Sequence, residues 1–166
     1  SGAIGDGTTT SRRVPTPVSG LTDAVEIAAG GFHVCARRVD GSIVCWGRNT
    51  LGEIGDGTRI DRPFPTLVSG LGGIIDIAAG DSHNCARRSD NTVVCWGHNL
   101  YGQLGDGTMT GRTTASDVPG LMDIVELEMG TYHSCGRHAD DGISCWGHNS
   151  EGQLGDGTTV DRLTPT

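Results

Sequence analysis

Cys45-Trp46-Gly47-Arg48-Asn49 returns as Cys95-Trp96-Gly97-His98-Asn99 and again as Cys145-Trp146-Gly147-His148-Asn149, a period of 50 residues. Each copy leads into the same tail: Gly52-Glu53-Ile54-Gly55-Asp56-Gly57-Thr58, then Gly102-Gln103-Leu104-Gly105-Asp106-Gly107-Thr108, then Gly152-Gln153-Leu154-Gly155-Asp156-Gly157-Thr158. A fixed period of this length marks a propeller, solenoid or array, in which one unit hides its apolar face only against its neighbours. The repeat overrides the length prior, so residues 1–166 are read as a single repeat domain.

The 28 glycines and the 35% apolar content suit short strands and tight turns. In a helix each interior Gly would cost about 1 kcal/mol. The chain is read as all-β. Within one repeat, period-2 and turn signals give four strands: Val25 to Ala29, His33 to Arg38, Ile43 to Gly47 and Phe64 to Val68, the last carrying prolines that suit an edge. The copies of the first strand are Ile75 to Ala79 and Val125 to Met129. Four antiparallel strands in sequence make a meander.

Residues 1 to 16 match residues 151 to 166 at an offset of 150. The expected division is therefore a connector and orphan outer strand at 1–20, with Val14 to Val18 as that strand, followed by units at 21–70, 71–120 and 121–166. Pro165-Thr166 cuts the last outer strand short. The chain opens at Ser1-Gly2 without an initiator Met and is read as processed or cut from something longer.

A net charge of −8 with no Lys excludes the phosphate-neutralising footprint that drives most nucleic-acid binding. No stretch resembles a membrane span or a signal peptide.

Six cysteines recur as pairs with nine residues between members: Cys35 and Cys45, Cys85 and Cys95, Cys135 and Cys145. If Val39-Asp40-Gly41 is a three-residue loop with Gly41 left-handed, Arg38 faces Ser42 and Cys35 faces Cys45. Asn91 and Asp141 replace Gly41 in the later repeats, and both residue types tolerate positive φ better than most. A two-residue loop would put the cysteines on opposite faces. The three-residue loop predicts one disulfide per repeat, and with it an oxidising compartment outside the cytoplasm.

The residues Gly80-Asp81-Ser82-His83, Asp90-Asn91, Val93-Val94, Trp96-Gly97, Asn99 and Gly102-Gln103-Leu104-Gly105 resemble the regulator of chromosome condensation repeat. The resemblance covers essentially the whole chain. It implies four-stranded blades around a central axis, usually seven, with the Val25-type strand innermost and the Phe64-type strand outermost. Three blades make a partial β-propeller. Versions with Cys before Trp-Gly look like bacterial extracellular members, which implies an extracellular or cell-surface location. The eukaryotic namesake is an exchange factor for the GTPase Ran and uses an inserted wedge, but no insertion interrupts these repeats.

His33, His83 and His133 stand two residues before a Cys, a spacing that invites zinc. Each repeat offers only three ligands where a structural site wants four, so the histidines are read as partners in a hydrogen bond inside the blade. Trp46, Trp96 and Trp146 are read as packing residues between blades. Asp56, Asp106 and Asp156, like Asp6, supply one carboxylate per loop where calcium wants six to eight oxygens, so they are read as turn residues. Arg12, Arg62, Arg112 and Arg162 either bridge neighbouring loops or are solvated. No nucleophile elbow, no phosphate cradle and no catalytic residue peculiar to one repeat is present, so neither enzyme activity nor a metal or cofactor is expected.

In a meander, the connection between strands one and two emerges on the same side as that between strands three and four. On that side the repeats differ. Gly31-Phe32 becomes Asp81-Ser82 and then Thr131-Tyr132, while Thr50-Leu51 becomes Leu100-Tyr101 and then Ser150-Glu151. Phe32, Leu51, Tyr101 and Tyr132 are the candidate binding anchors, with unconstrained loop positions as the plainer alternative. The expected function is a non-enzymatic scaffold that binds a protein partner. An enzyme regulator on the same fold (an exchange factor or an inhibitor) and a self-assembling fragment, two copies closing a six-bladed ring, are the alternatives.

Overall fold

The computed structural model describes residues 1–166 as eleven strands and no helix. The first sheet runs β1 (Ala24–Ala29), β2 (His33–Arg38), β3 (Ile43–Gly47), β4 (Arg62–Leu67), each strand paired to the next. The second repeats it with β5 (Ile74–Ala79), β6 (His83–Arg88), β7 (Val93–Gly97) and β8 (Arg112–Asp117). The third contains β9 (Ile124–Met129), β10 (His133–His138) and β11 (Ile143–Gly147). Its outer edge is met only at Arg162, which bridges Gly147, and at Thr166, which exchanges backbone hydrogen bonds of 2.9 and 3.0 Å with Cys145.

The innermost strands β1, β5 and β9 line one axial recess, with Glu26 to Ala29, Asp76 to Ala79 and Glu126 to Met129 facing it. The sheets are thus all-β propeller blades.

The hairpin between the second and third strands closes through a three-residue loop in every blade. Arg38 N–H donates to Ser42 C=O at 2.9 Å and Gly41 N–H to Arg38 C=O at 2.9 Å. The third loop residue is left-handed throughout, with φ of 78° at Gly41, 63° at Asn91 and 68° at Asp141. This register sets Cys35 opposite Cys45, Cys85 opposite Cys95 and Cys135 opposite Cys145. All three pairs are disulfides with Cα atoms 4.1 Å apart, and no cysteine is free.

The ends of elements depart from the sequence reading. The inner strands start one residue earlier than read, and the outer strands start at Arg62 and Arg112 because these residues pair with Gly47 and Gly97 across a bulge. Pro63 and Pro65 lie in β4, an edge strand where a missing N–H costs no ladder bond. Val14 to Val18 is not a strand, because no neighbouring strand offers it a ladder. Val18 and Leu21 pack instead beside Ala36, Val44 and Trp46 on the flank of the first blade.

The core lies between blades. Cys35, Ile43, Cys45, Ile54 and Val68 of one blade pack with Ile74, Ile77, Ala86, Val94 and Trp96 of the next. The same arrangement recurs with Cys85, Val93, Cys95, Leu104 and Val118 against Ile124, Leu127 and Trp146. Burial is thus distributed over joints, as expected for units that cannot hide their faces alone.

Candidate functional site

Each joint is organised by a main-chain carbonyl. Glu53 C=O accepts from Trp96 Nε1 at 2.9 Å and from Asn84 Nδ2 at 2.8 Å. Because the Asn84 amide nitrogen is committed to that carbonyl, its Oδ1 faces His33 Nε2, 2.8 Å away, and must accept. The second joint is built likewise: Gln103 C=O accepts from Trp146 Nε1 at 2.9 Å and from Ser134 Oγ at 2.8 Å, and Ser134 Oγ lies 2.9 Å from His83 Nε2. Both imidazoles therefore carry their proton on Nε2 and are neutral, with a buried lone pair on Nδ1. Burial drives the His83 pKa down to about 3, and it also lowers that of His33.

This corrects the expectation of a hydrogen bond inside the blade, since His33 and His83 each reach the following blade. Nε2 of His33 and of His83 is spent on that joint and the cysteines on disulfides, so the histidines and cysteines do not combine into a zinc set. His133 has no following blade and its ring is only partly covered. Trp46, Trp96 and Trp146 are all buried, each with its indole N–H on a main-chain carbonyl of the connector that precedes its blade.

The side chain of the same connector residue shapes the rim above the joint. Glu53, fully buried, accepts from Arg48 Nε at 2.8 Å and from Leu51 N–H at 2.7 Å. In the next repeat Gln103 Oε1 accepts from Tyr101 N–H at 3.0 Å, which turns its Nε2 to donate to His98 Nδ1 at 3.0 Å. Gln153 does the same for Glu151 N–H and His148. An Arg-to-Glu pair and two Gln-to-His pairs thus hold the same loop in the same place. The first joins a guanidinium to a carboxyl group, and the others join an amide N–H to an imidazole nitrogen. Burial lowers the His98 pKa further from protonation.

On this frame sit the variable residues. Phe32 lies under the Arg48 guanidinium, 4.7 Å from its carbon to the ring centre, and Arg48 also donates to Ser82 Oγ. Tyr101 and Tyr132 come from different blades, and their ring centres stand 5.2 Å apart. His148 packs 4.5 Å from Tyr101, and His98 packs 6.0 Å from Tyr132. Leu51 is half-buried beside Glu53. The structure therefore gathers Tyr101 and Tyr132 into one aromatic group with His98 and His148, and places Phe32 with Arg48 at the neighbouring joint.

The Gly-Asp-Gly-Thr loops are closed within themselves. Asp56 Oδ1 accepts from Thr58 N–H at 2.9 Å and Thr58 Oγ1 at 2.7 Å, while Oδ2 accepts from Arg62 Nε at 2.7 Å. Asp6 with Arg12, Asp106 with Arg112 and Asp156 with Arg162 repeat the pairing. The arginines therefore bind their own loop rather than a neighbouring one. Burial opposes ionisation of Asp56 and Asp106, but the hydrogen bonds prevail and hold both carboxyls below their usual range.

The sequence reading passed over Asn84, Ser134 and the Glu53 and Gln103 side chains as joint residues. A signal was present: Asn84 and Ser134 are polar residues at the position held by Val34 in the first repeat.

Stacked meanders that interlock through a buried Trp, His and connector carbonyl define a β-propeller built from one recurring blade type. Family models described as the regulator of chromosome condensation (RCC1) repeat match residues 24–53, 74–103 and 124–153, and residues 1–37 and 40–87. The chain belongs to this family. Among solved structures it is similar to yeast RCC1 (Prp20) bound to Kap60, with a TM-score of 0.84, 18% identity, and coverage of 100% of this chain and 42% of that one. It is also similar to Prp20p from Saccharomyces cerevisiae, described with its binding properties to Gsp1p and histones, with a TM-score of 0.76, 22% identity, and coverage of 89% and 38%. Human WBSCR16 gives a TM-score of 0.83 at 22% identity, covering 99% of this chain and 46% of that one. The chain spans less than half the length of these proteins, and at such identities the likeness concerns the fold. No curated protein sequence matches the chain.

Proposed function

We propose that this chain is a non-enzymatic scaffold that binds a protein partner outside the cytoplasm, through the rim carrying Phe32, Leu51, Tyr101 and Tyr132. We divide it into a connector at 1–20 and blades at 21–70, 71–120 and 121–166. The observation that carries the binding reading is the Tyr101–Tyr132 group: two amphipathic rings from different blades, 5.2 Å apart, on a frame of buried Gln103, Asn99 and Asn149. Rigid aromatic side chains at the surface of a fixed frame supply contact area at low entropic cost, which is the chemistry of interface hot spots. Three disulfides support an oxidising location. Work on a relative of the same fold, the yeast protein solved with Kap60, makes a protein partner the preferred class.

The test compares the wild type with a Phe32→Ala/Tyr101→Ala/Tyr132→Ala variant as immobilised bait for secreted proteins of the source. The expected result is a bound protein whose affinity falls at least about tenfold on the variant, with an unchanged melting temperature. Equal binding to both baits, or loss only on substitution of Ser19 and Val39 on the opposite side, overturns the reading.

A further inference from the structure

Which nitrogen of His98 carries the proton is settled by hydrogen bonds that start at the main chain. Tyr101 N–H can only donate, so the Gln103 amide turns Oε1 to it, 3.0 Å away. The other end of that amide is then Nε2, a donor, and it stands 3.0 Å from His98 Nδ1. Nδ1 therefore accepts, and the neutral ring carries its proton on Nε2. Gln103 is fully buried, and turning its amide over would set Nε2 against Tyr101 N–H, donor against donor. Gln153 fixes His148 in the same way, with Oε1 on Glu151 N–H at 2.9 Å and Nε2 3.1 Å from His148 Nδ1.

An imidazole takes its second proton on the nitrogen that lacks one. For His98 that is Nδ1, the atom to which the Gln103 amide donates. An imidazolium there needs an acceptor in place of Nε2, so the amide must turn, and Tyr101 N–H then loses its partner. Protonation of His98 and closure of the loop by Tyr101 N–H thus oppose each other by the same factor. The first repeat is built without this conflict. Glu53 has two carboxyl oxygens, one accepting from Leu51 N–H at 2.7 Å and the other from Arg48 Nε at 2.8 Å, and a guanidinium does not change its charge.

The surroundings of His98 set where the conflict is felt. Burial is the largest influence and holds its pKa below the usual value; Glu53 and Asp81 favour a proton on it, and Arg48 opposes one. The buried, neutral His83 lies close enough to sense its charge. On the rim its ring centre stands 6.4 Å from that of Tyr101 and 6.0 Å from that of Tyr132, and His148 packs on Tyr101 at 4.5 Å.

We propose that His98 and Gln103 are positioning residues that act as an acid release for the aromatic group: a proton on His98 turns the Gln103 amide, frees the Tyr101 main chain and lets its ring leave Tyr132. The loop that carries Leu51, held by Arg48 and Glu53, stays closed. Of the two loops, one therefore responds to mild acid and the other does not. The consequence for a partner rests on the reading of this rim as the binding surface, whereas the release of the loop does not.

The free protein tests the release by NMR. In the wild type, the Tyr101 amide should lose at least about tenfold of its exchange protection with the same midpoint as the His98 ring, below pH 6.5, while the Leu51 amide keeps its own. Gln103→Glu offers one carboxylate oxygen to His98 Nδ1 and the other to Tyr101 N–H, so its Tyr101 amide should stay protected as His98 titrates. His98→Arg/Gln103→Glu installs the pair that the first repeat already uses, and should remove the response even if the single variant fails to fold. A wild-type Tyr101 amide that keeps its protection as His98 titrates overturns the proposal. So does a His98 that takes no proton before the chain unfolds in acid, or an unchanged response in His98→Arg/Gln103→Glu. With a captured partner, the dissociation constant should rise at least about tenfold from about pH 7.5 to about pH 5 for the wild type and stay level for His98→Arg/Gln103→Glu. Loop release in the free protein together with full binding by Tyr101→Ala would sink the binding reading and leave the switch standing.

Discussion

His33 donates its Nε2 proton across 2.8 Å to Asn84, a residue 51 positions further on and in the next blade. The bond forms only when the two blades are stacked, so this pair reports on the joint rather than on either sheet. Asn84→Leu should leave the His33 donor buried without an acceptor and lower stability by about 1–3 kcal/mol. Ser134→Ala should do the same to His83. Chemical denaturation of the folded chain measures both.

The joint also sets an acid limit. His83 is held neutral, with its pKa depressed from 6.5 to about 3 by burial. An unfolded chain binds a proton there below pH 6.5 while the folded chain does not, so the stability from this group is complete above pH 6.5 and is lost as pH falls towards 3. His33 acts in the same direction. Unfolding free energy should fall between pH 6.5 and 4 by up to about 1.4 kcal/mol per pH unit from His83, and His83→Gln should reduce the slope.

Each disulfide closes a short hairpin, Cys35 to Cys45, Cys85 to Cys95 and Cys135 to Cys145. Replacing one pair by alanine should cost roughly 2–3 kcal/mol. Thiol titration of the denatured, non-reduced protein should find no free cysteine. Six free thiols would remove the argument for an oxidising compartment and reopen the regulator of a cytoplasmic GTPase.

The rim can be tuned through its Gln-to-His pairs. Gln103→Glu places a carboxylate where an amide now donates to His98 Nδ1, reproducing the carboxyl group of the Arg48–Glu53 pair. The His98 pKa should then rise, and a titration of its ring protons by NMR reads the change. An unmoved His98 would show that the Gln103 contact is not maintained in solution.

Tyr101 and Tyr132 touch, so their effects on a partner should not add. Tyr101→Ala and Tyr132→Ala should each weaken binding by more than about 1 kcal/mol, and the double variant by less than their sum, while Phe32→Ala at the other joint adds independently. Calorimetry with a captured partner gives the coupling.

Much of this protein was legible along the chain because its regularities are local. The period gave the blades, and a three-residue turn with Gly41, Asn91 or Asp141 left-handed gave the hairpin register and so the cysteine partners. Alternation along strands and the order of a meander placed Phe32, Tyr101 and Tyr132 on one side. Tertiary structure decided what happens between repeats. Whether His33 bonds within its blade or beyond it depends on the stacking of two sheets, which no pattern inside one repeat encodes, and the same holds for the meeting of Tyr101 with Tyr132. Val14 to Val18 shows the converse. Its sequence is that of an outer strand, but a strand exists only where a neighbour accepts its hydrogen bonds, and this one has none.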